Sequence, residues 1–136
     1  MEKNQVVDVV LLLIRAALGV IFIAHGAQKL FGAFGGGGIE GSTQMIKGLG
    51  WSLPVMWAWV LAVWEFAGGI LLVLGILPRV SAAGIAVIML VAIFQVHGPA
   101  GFFAGKGGFE YQLLLLVNAL AILIAGGGGI AVFNRY

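Results

Sequence analysis

Cysteine is absent from the 136 residues of this sequence. Disulfides, cysteine-ligated zinc, iron–sulfur clusters and thiol catalysis are therefore excluded, and any redox role has to use a bound cofactor or a partner protein. Charge is nearly as scarce: seven Lys and Arg with five Asp and Glu make up 9% of the chain. The net charge of +2 is spread thinly, and no Lys/Arg cluster offers a surface to nucleic acid or to anionic lipid headgroups. What fills the sequence instead is apolar. Hydrophobic residues reach 62% and the mean hydropathy is +1.14, against roughly 45–50% apolar content in soluble domains. This is the composition of an integral membrane protein whose main partner is the lipid bilayer.

Four apolar stretches follow one another, at about 7–29, 55–77, 80–97 and 111–133. Each approaches the ~20 residues that cross ~30 Å of hydrocarbon. The expectation is an all-α membrane protein, one domain over 1–136, built as an antiparallel bundle of four transmembrane helices. The first stretch is not a signal peptide, because Arg15 interrupts it and His25, Gln28 and Lys29 follow where a small-residue cleavage site would stand. Pro78-Arg79 predicts a tight turn between the second and third helices. Met45, Ile46 and Leu49 predict a short interfacial helix in the first loop, capped by Ser42 or Thr43 and followed by Trp51 as an anchor. Lys3, Arg79 and Arg135 on one side balance Lys29, Lys47 and Lys106 on the other, so positive charge does not orient the bundle.

Arg15 and Glu65 lie inside apolar runs, where a charge costs several kcal/mol unless it is paired or faces water. Helical periodicity puts Arg15, Gly19, Phe22, Gly26 and Lys29 on one stripe of the first helix, and Glu65, Gly68, Gly69, Leu72 and Ile76 on one stripe of the second. Counting from the helix ends at about 1.5 Å per residue places Arg15 and Glu65 within roughly 6 Å in depth. An ion pair between them is expected. It serves either as a bridge that fixes register or as part of a pocket that holds a ligand or relays a proton.

A second group of polar residues collects where the first and third loops emerge: His25, Gln28 and Lys29, then Gln95 and His97, then Glu110, Tyr111 and Gln112. Two F-x-x-H-G segments, at 22–26 and 94–98, set the two imidazoles at similar depth in helices that run parallel. Metal or haem ligation by His25 and His97, ordinary interfacial hydrogen bonding, and a site for a quinone ring walled by Phe22, Trp57 and Phe94 all remain open. Neither histidine spacing is a strict ligand signature, and no covalently attached cofactor is expected. Gly35–Gly38 is no phosphate loop, since no Lys-Ser/Thr follows it. Gly126–Gly129 is expected to loosen or end the fourth helix, Trp57, Trp59 and Trp64 to face lipid or its interface, and Asn118 to bond across helices.

Arg15 with Gly19, the run His25-Gly26-Ala27-Gln28-Lys29-Leu30-Phe31-Gly32, the segment Glu65–Gly75, Pro78-Arg79 and Gly108-Phe109-Glu110-Tyr111 together resemble the DoxX family of small four-helix membrane proteins of bacteria and archaea. The resemblance implies a place in the cytoplasmic membrane and a link to redox processes, since the founding member is associated with a membrane-bound thiosulfate:quinone oxidoreductase. By motif, Arg15, Gly26, Lys29, Glu65, Gly69, Arg79 and Glu110 occupy family-typical positions. The expected function is a quinone-linked membrane subunit working with other membrane proteins, whose ligand-binding or proton-relay residues are Arg15, His25, Gln28, Lys29, Glu65, His97, Glu110 and Tyr111. The alternative is an accessory subunit of a larger complex, with no chemistry of its own.

Overall fold

The computed structural model describes residues 2–133. Among these residues there are five α-helices: α1 (Lys3–Phe31), α2 (Gly38–Gly48), α3 (Pro54–Leu74), α4 (Pro78–Val91) and α5 (Glu110–Ala125). α4 runs on through a wider π-helical turn, Ala92–His97, and a 3-10 turn, Gly98–Ala100. No strand occurs among the described residues. α1, α3 and the continuous segment Pro78–Ala100 are long and apolar enough to cross a membrane, and α5 is a shorter apolar helix. The protein is an all-helical membrane protein of the bundle type.

Local chemistry sets the helix ends. Glu2 and Gln5 form a reciprocal capping box that starts α1 ahead of its apolar run. Pro54 and Pro78 open α3 and α4, where the missing N–H has no intrahelical partner to lose. Pro78-Arg79 therefore begins a helix and does not make the turn. The turn is Gly75–Leu77, with Gly75 in the left-handed conformation that closes α3. α5 stops at Ala125 because Gly126 adopts φ 82° and ψ −171°, open in practice only to glycine, and so the helix does not continue to Phe133. In α2 the N-cap is Gly37. Ser42 and Thr43 are buried inside the helix instead of capping it, and Thr43 Oγ1 donates to Ile39 O at 2.8 Å. Ile46 also faces inward, while Glu40, Gln44 and Lys47 are exposed.

Packing is closest between α1 and α3. A Cβ on Gly19 would sit 2.7 Å from Gly69 O, and one on Gly26 would sit 2.6 Å from Phe66 Cα. Backbone meets backbone there, and the pairs Gly19 with Val73 and Gly26 with Phe66 define an antiparallel register. The glycine stripes read from the sequence are buried: Gly19 and Gly26 on α1, Gly68 and Gly69 on α3. Leu18, Phe22, Leu72, Ile85, Met89, Leu115, Ala119 and Ile122 form the apolar core that joins α1, α3, α4 and α5.

Because these approaches leave no room for a side chain, Gly19→Val or Gly26→Val should each destabilise the purified protein by about 1–3 kcal/mol in detergent unfolding. Gly41→Ala, inside α2 where a Cβ meets nothing within 4 Å, should instead raise the unfolding midpoint slightly, by about 0.5–1 kcal/mol of helix preference.

Candidate functional site

The α1–α3 register decides which charges meet. Lys29 Nζ lies 2.8 Å from Glu65 Oε2, and the glutamate side chain is only 5% exposed. This is the one ion pair among the described residues. The expected pair of Arg15 with Glu65 does not form. Arg15 is level with Gly75 at the end of α3, about 10 residues from Glu65, or ~15 Å at helical rise. The depth count failed because it set the end of α1 level with the start of α3. In the structure α2 packs against both helices, and α3 begins well beyond the last turn of α1.

Arg15 is satisfied differently. It is 1% exposed, and its Nη1 donates to Gly127 O while Nη2 donates to Ile130 O at 2.7 Å. These carbonyls belong to the segment after α5, residues 126–133, which folds back across the end of the bundle. Gly129 N donates to Asp8 Oδ1 at 2.7 Å and Val132 N to Leu74 O at 2.9 Å, so the strap is tied to α1 and α3. Arg15 Nε is enclosed without a partner among the described residues.

A cavity of about 650 Å³ opens beside the Lys29–Glu65 pair. α1 contributes Phe22, His25 and Lys29, α3 contributes Trp57, Val60, Trp64 and Glu65, and α4 with its π turn contributes Gly84, Val87, Met89 and His97. Tyr111, Gln112 and Leu115 enter from α5, and Met45, Ile46 and Leu49 of α2 cover one side with Trp51. The volume falls within the roughly 300–1,000 Å³ of small-molecule sites, and a few convergent polar groups on apolar walls is the usual composition of one.

The cavity thus gathers His25, Lys29, Glu65, His97 and Tyr111 from the expected residues and leaves out the other three. Arg15 holds the strap. Gln28 Nε2 donates to Phe34 O at 3.4 Å, and Glu110 Oε1 accepts from Ala104 N at 2.8 Å, so both are engaged by loop backbone. Phe94, an expected wall, is 76% exposed and turned away. Asn118 Nδ2 donates to Leu114 O of its own helix and makes no side-chain bond to another helix among the described residues. Trp64 remains 37% exposed, and its indole also lies over Gly84 of α4, whose missing side chain makes room for it.

Two polar groups in the cavity differ in their hydrogen bonding. His97 Nδ1 is 2.9 Å from Gly107 O; a carbonyl only accepts, so Nδ1 donates, and in a neutral ring Nε2 is then the acceptor. Gln112 Oε1 is buried with no hydrogen-bond partner among the described residues. No cluster of three or more His, Asp or Glu suited to a metal ion occurs among those residues.

Lys29→Met should strand the buried Glu65 and lower stability by roughly 3 kcal/mol, whereas Lys29→Met with Glu65→Leu should recover most of the loss in the same unfolding assay. Exchanging charges with Arg15→Glu and Glu65→Arg, which would preserve a direct pair, should abolish the folded protein by facing a carboxylate with carbonyl oxygens.

The DoxX family model matches residues 10–98. The chain is 31% identical over 123 residues to "Putative oxidoreductase CatD" of Bacillus subtilis (strain 168), an alignment that spans 90% of this chain and 84% of that protein. No solved structure matches it. The matched residues include Arg15, the glycine contacts of α1 and α3, and the Lys29–Glu65 pair, and the chain belongs to the DoxX family.

Proposed function

We propose that this protein is a quinone-binding membrane subunit of an oxidoreductase system, crossing the cytoplasmic membrane of a bacterium or archaeon as four antiparallel spans with α2 in the interface. One observation carries the reading: a single cavity collects the Lys29–Glu65 pair, His25, His97, Tyr111 and Gln112 against walls that are otherwise apolar and aromatic. A flat ring bearing two oxygens would suit that composition: Trp57, Trp64 and Phe22 would supply apolar walls and the polar groups would supply hydrogen bonds. The relative named an oxidoreductase supports the redox class.

A bound quinone would supply the two-electron, two-proton chemistry that this chain's side chains lack. The ammonium of Lys29 has three donors, of which Glu65 takes one, so another is available to a carbonyl oxygen at the cavity wall. Glu65 holds that ammonium in place. Tyr111 can donate from its hydroxyl, while Gln112 Oε1 and His97 Nε2 are acceptors suited to a hydroxyl hydrogen. His97, in the π turn beside the loop that contains Gly107, stands where a proton can pass between cavity and solvent. Electrons have to come from or go to another subunit, because the chain has no cysteine to hold a cluster or form a dithiol.

Gentle purification followed by organic extraction and mass analysis should recover about one quinone per chain. Tyr111→Phe and Gln112→Leu should each weaken quinone retention about five- to tenfold, the value of one hydrogen bond of ~1 kcal/mol, with helix content unchanged. A Soret band in the visible spectrum would point to haem at His25 and His97. No bound quinone, together with stable co-purification of larger subunits, would favour a purely accessory role.

A further inference from the structure

The cavity has two sides of different construction. Towards the loops it is closed by cross-ties. Trp51 Nε1 donates to Gln95 Oε1 at 2.6 Å, joining the α2–α3 connection to the π turn of α4. Trp51 also packs edge-to-face on Trp57, with ring centroids 5.8 Å apart. His97 is tied to Gly107 and Glu110 to Ala104, which hold the third loop down beside them. Ile46 of α2 is buried against the rest.

Towards the α3–α4 cleft the ties are fewer: among the described residues it is crossed by one long side-chain hydrogen bond, from Trp64 Nε1 to Ser81 O at 3.5 Å. Val60 and Trp64 on α3 and Val87 on α4 line the cavity while remaining 47%, 37% and 60% exposed. Leu61, Ile88 and Val91 continue the same rim, so it carries no charged or hydrogen-bonding side chain except the indole of Trp64, whose Nε1 is directed at Ser81 O. The polar groups of the lining are supplied elsewhere: His25 and Lys29 on α1 with Glu65 paired to Lys29, Tyr111 and Gln112 on α5, and His97 at the far end of the π turn. The cavity is therefore polar towards α1 and α5 and apolar towards the α3–α4 opening.

We propose that the occupant reaches this cavity sideways from the bilayer, between Val60 and Trp64 of α3 and Val87 of α4, and that it is a lipid-soluble molecule whose apolar tail stays in that cleft. The proposal rests on the quinone reading and narrows it to tailed, membrane-dissolved quinones. A water-soluble ligand would have to break the Trp51–Gln95 tie or lift the third loop. A tailed one entering beside Val60 and Val87 meets only the long Trp64–Ser81 bond, at 3.5 Å.

The cavity tryptophans provide the readout. The protein in lipid nanodiscs is mixed with 2,3-dimethoxy-5-methyl-1,4-benzoquinone, with or without a decyl chain, and quenching of tryptophan emission is followed in time and at equilibrium. Val60→Phe with Val87→Phe, both at exposed positions, should slow quenching by the decyl quinone about tenfold, a modest rise in barrier. Val60→Ala with Val87→Ala should speed it, and Gln95→Ala should change nothing. Saturable quenching whose rate ignores both cleft variants but rises in Gln95→Ala overturns the lateral route and leaves the quinone reading intact. Absence of saturable quenching by either quinone removes both.

Discussion

The backbone contact between α1 and α3 governs the rest of the molecule. Gly19 against Gly69 and Gly26 against Phe66 bring the two helices together with no side chain between them. Small residues that allow such approach are a common means of association where lipid removes the hydrophobic drive between helices. Shape fixes the register here, and the register then assigns partners: Lys29 falls opposite Glu65, Arg15 falls beside Gly75, and the cavity opens where α3 runs on past the end of α1 to meet α2.

The two interior cations are stabilised in different ways, and the residue types suit the difference. Lys29 is a compact charge at the end of a flexible stem, able to meet a carboxylate and still offer protons to a third group. Arg15 spreads its charge over a planar fork that reaches two carbonyls at once, Gly127 O and Ile130 O. Neutral carbonyls do not cancel the charge, but they replace the hydrogen bonds that water would make. Asp8 lies nearby only through its bond to the strap backbone.

Much of this was legible in the sequence, and the parts that were not share a cause. Helical periodicity identifies which residues share a face, so the stripes through Gly19, Gly26 and Gly69 and the grouping of His25, Lys29, His97 and Tyr111 at one end could be read directly. Periodicity says nothing about how far one helix slides past its neighbour. Arg15 was therefore matched with the wrong partner, because the offset depends on the packing of α2 and on which glycines touch. Gln28 and Glu110 looked like site residues by composition and position, yet loop carbonyls and amides that have no sequence signature take them up. Trp64 over Gly84 is likewise a contact between two helices that neither stretch announces alone.

The bond from Arg15 to Gly127 spans 112 residues of chain. During synthesis the first helix is made, and its guanidinium enters an apolar environment, long before the carbonyls that will receive it exist. Arg15 must therefore be kept hydrated, or shielded by the insertion machinery, until the strap arrives. Closing that contact is a late event in biogenesis, and it couples retention of the first helix in the membrane to completion of the glycine run that follows the last.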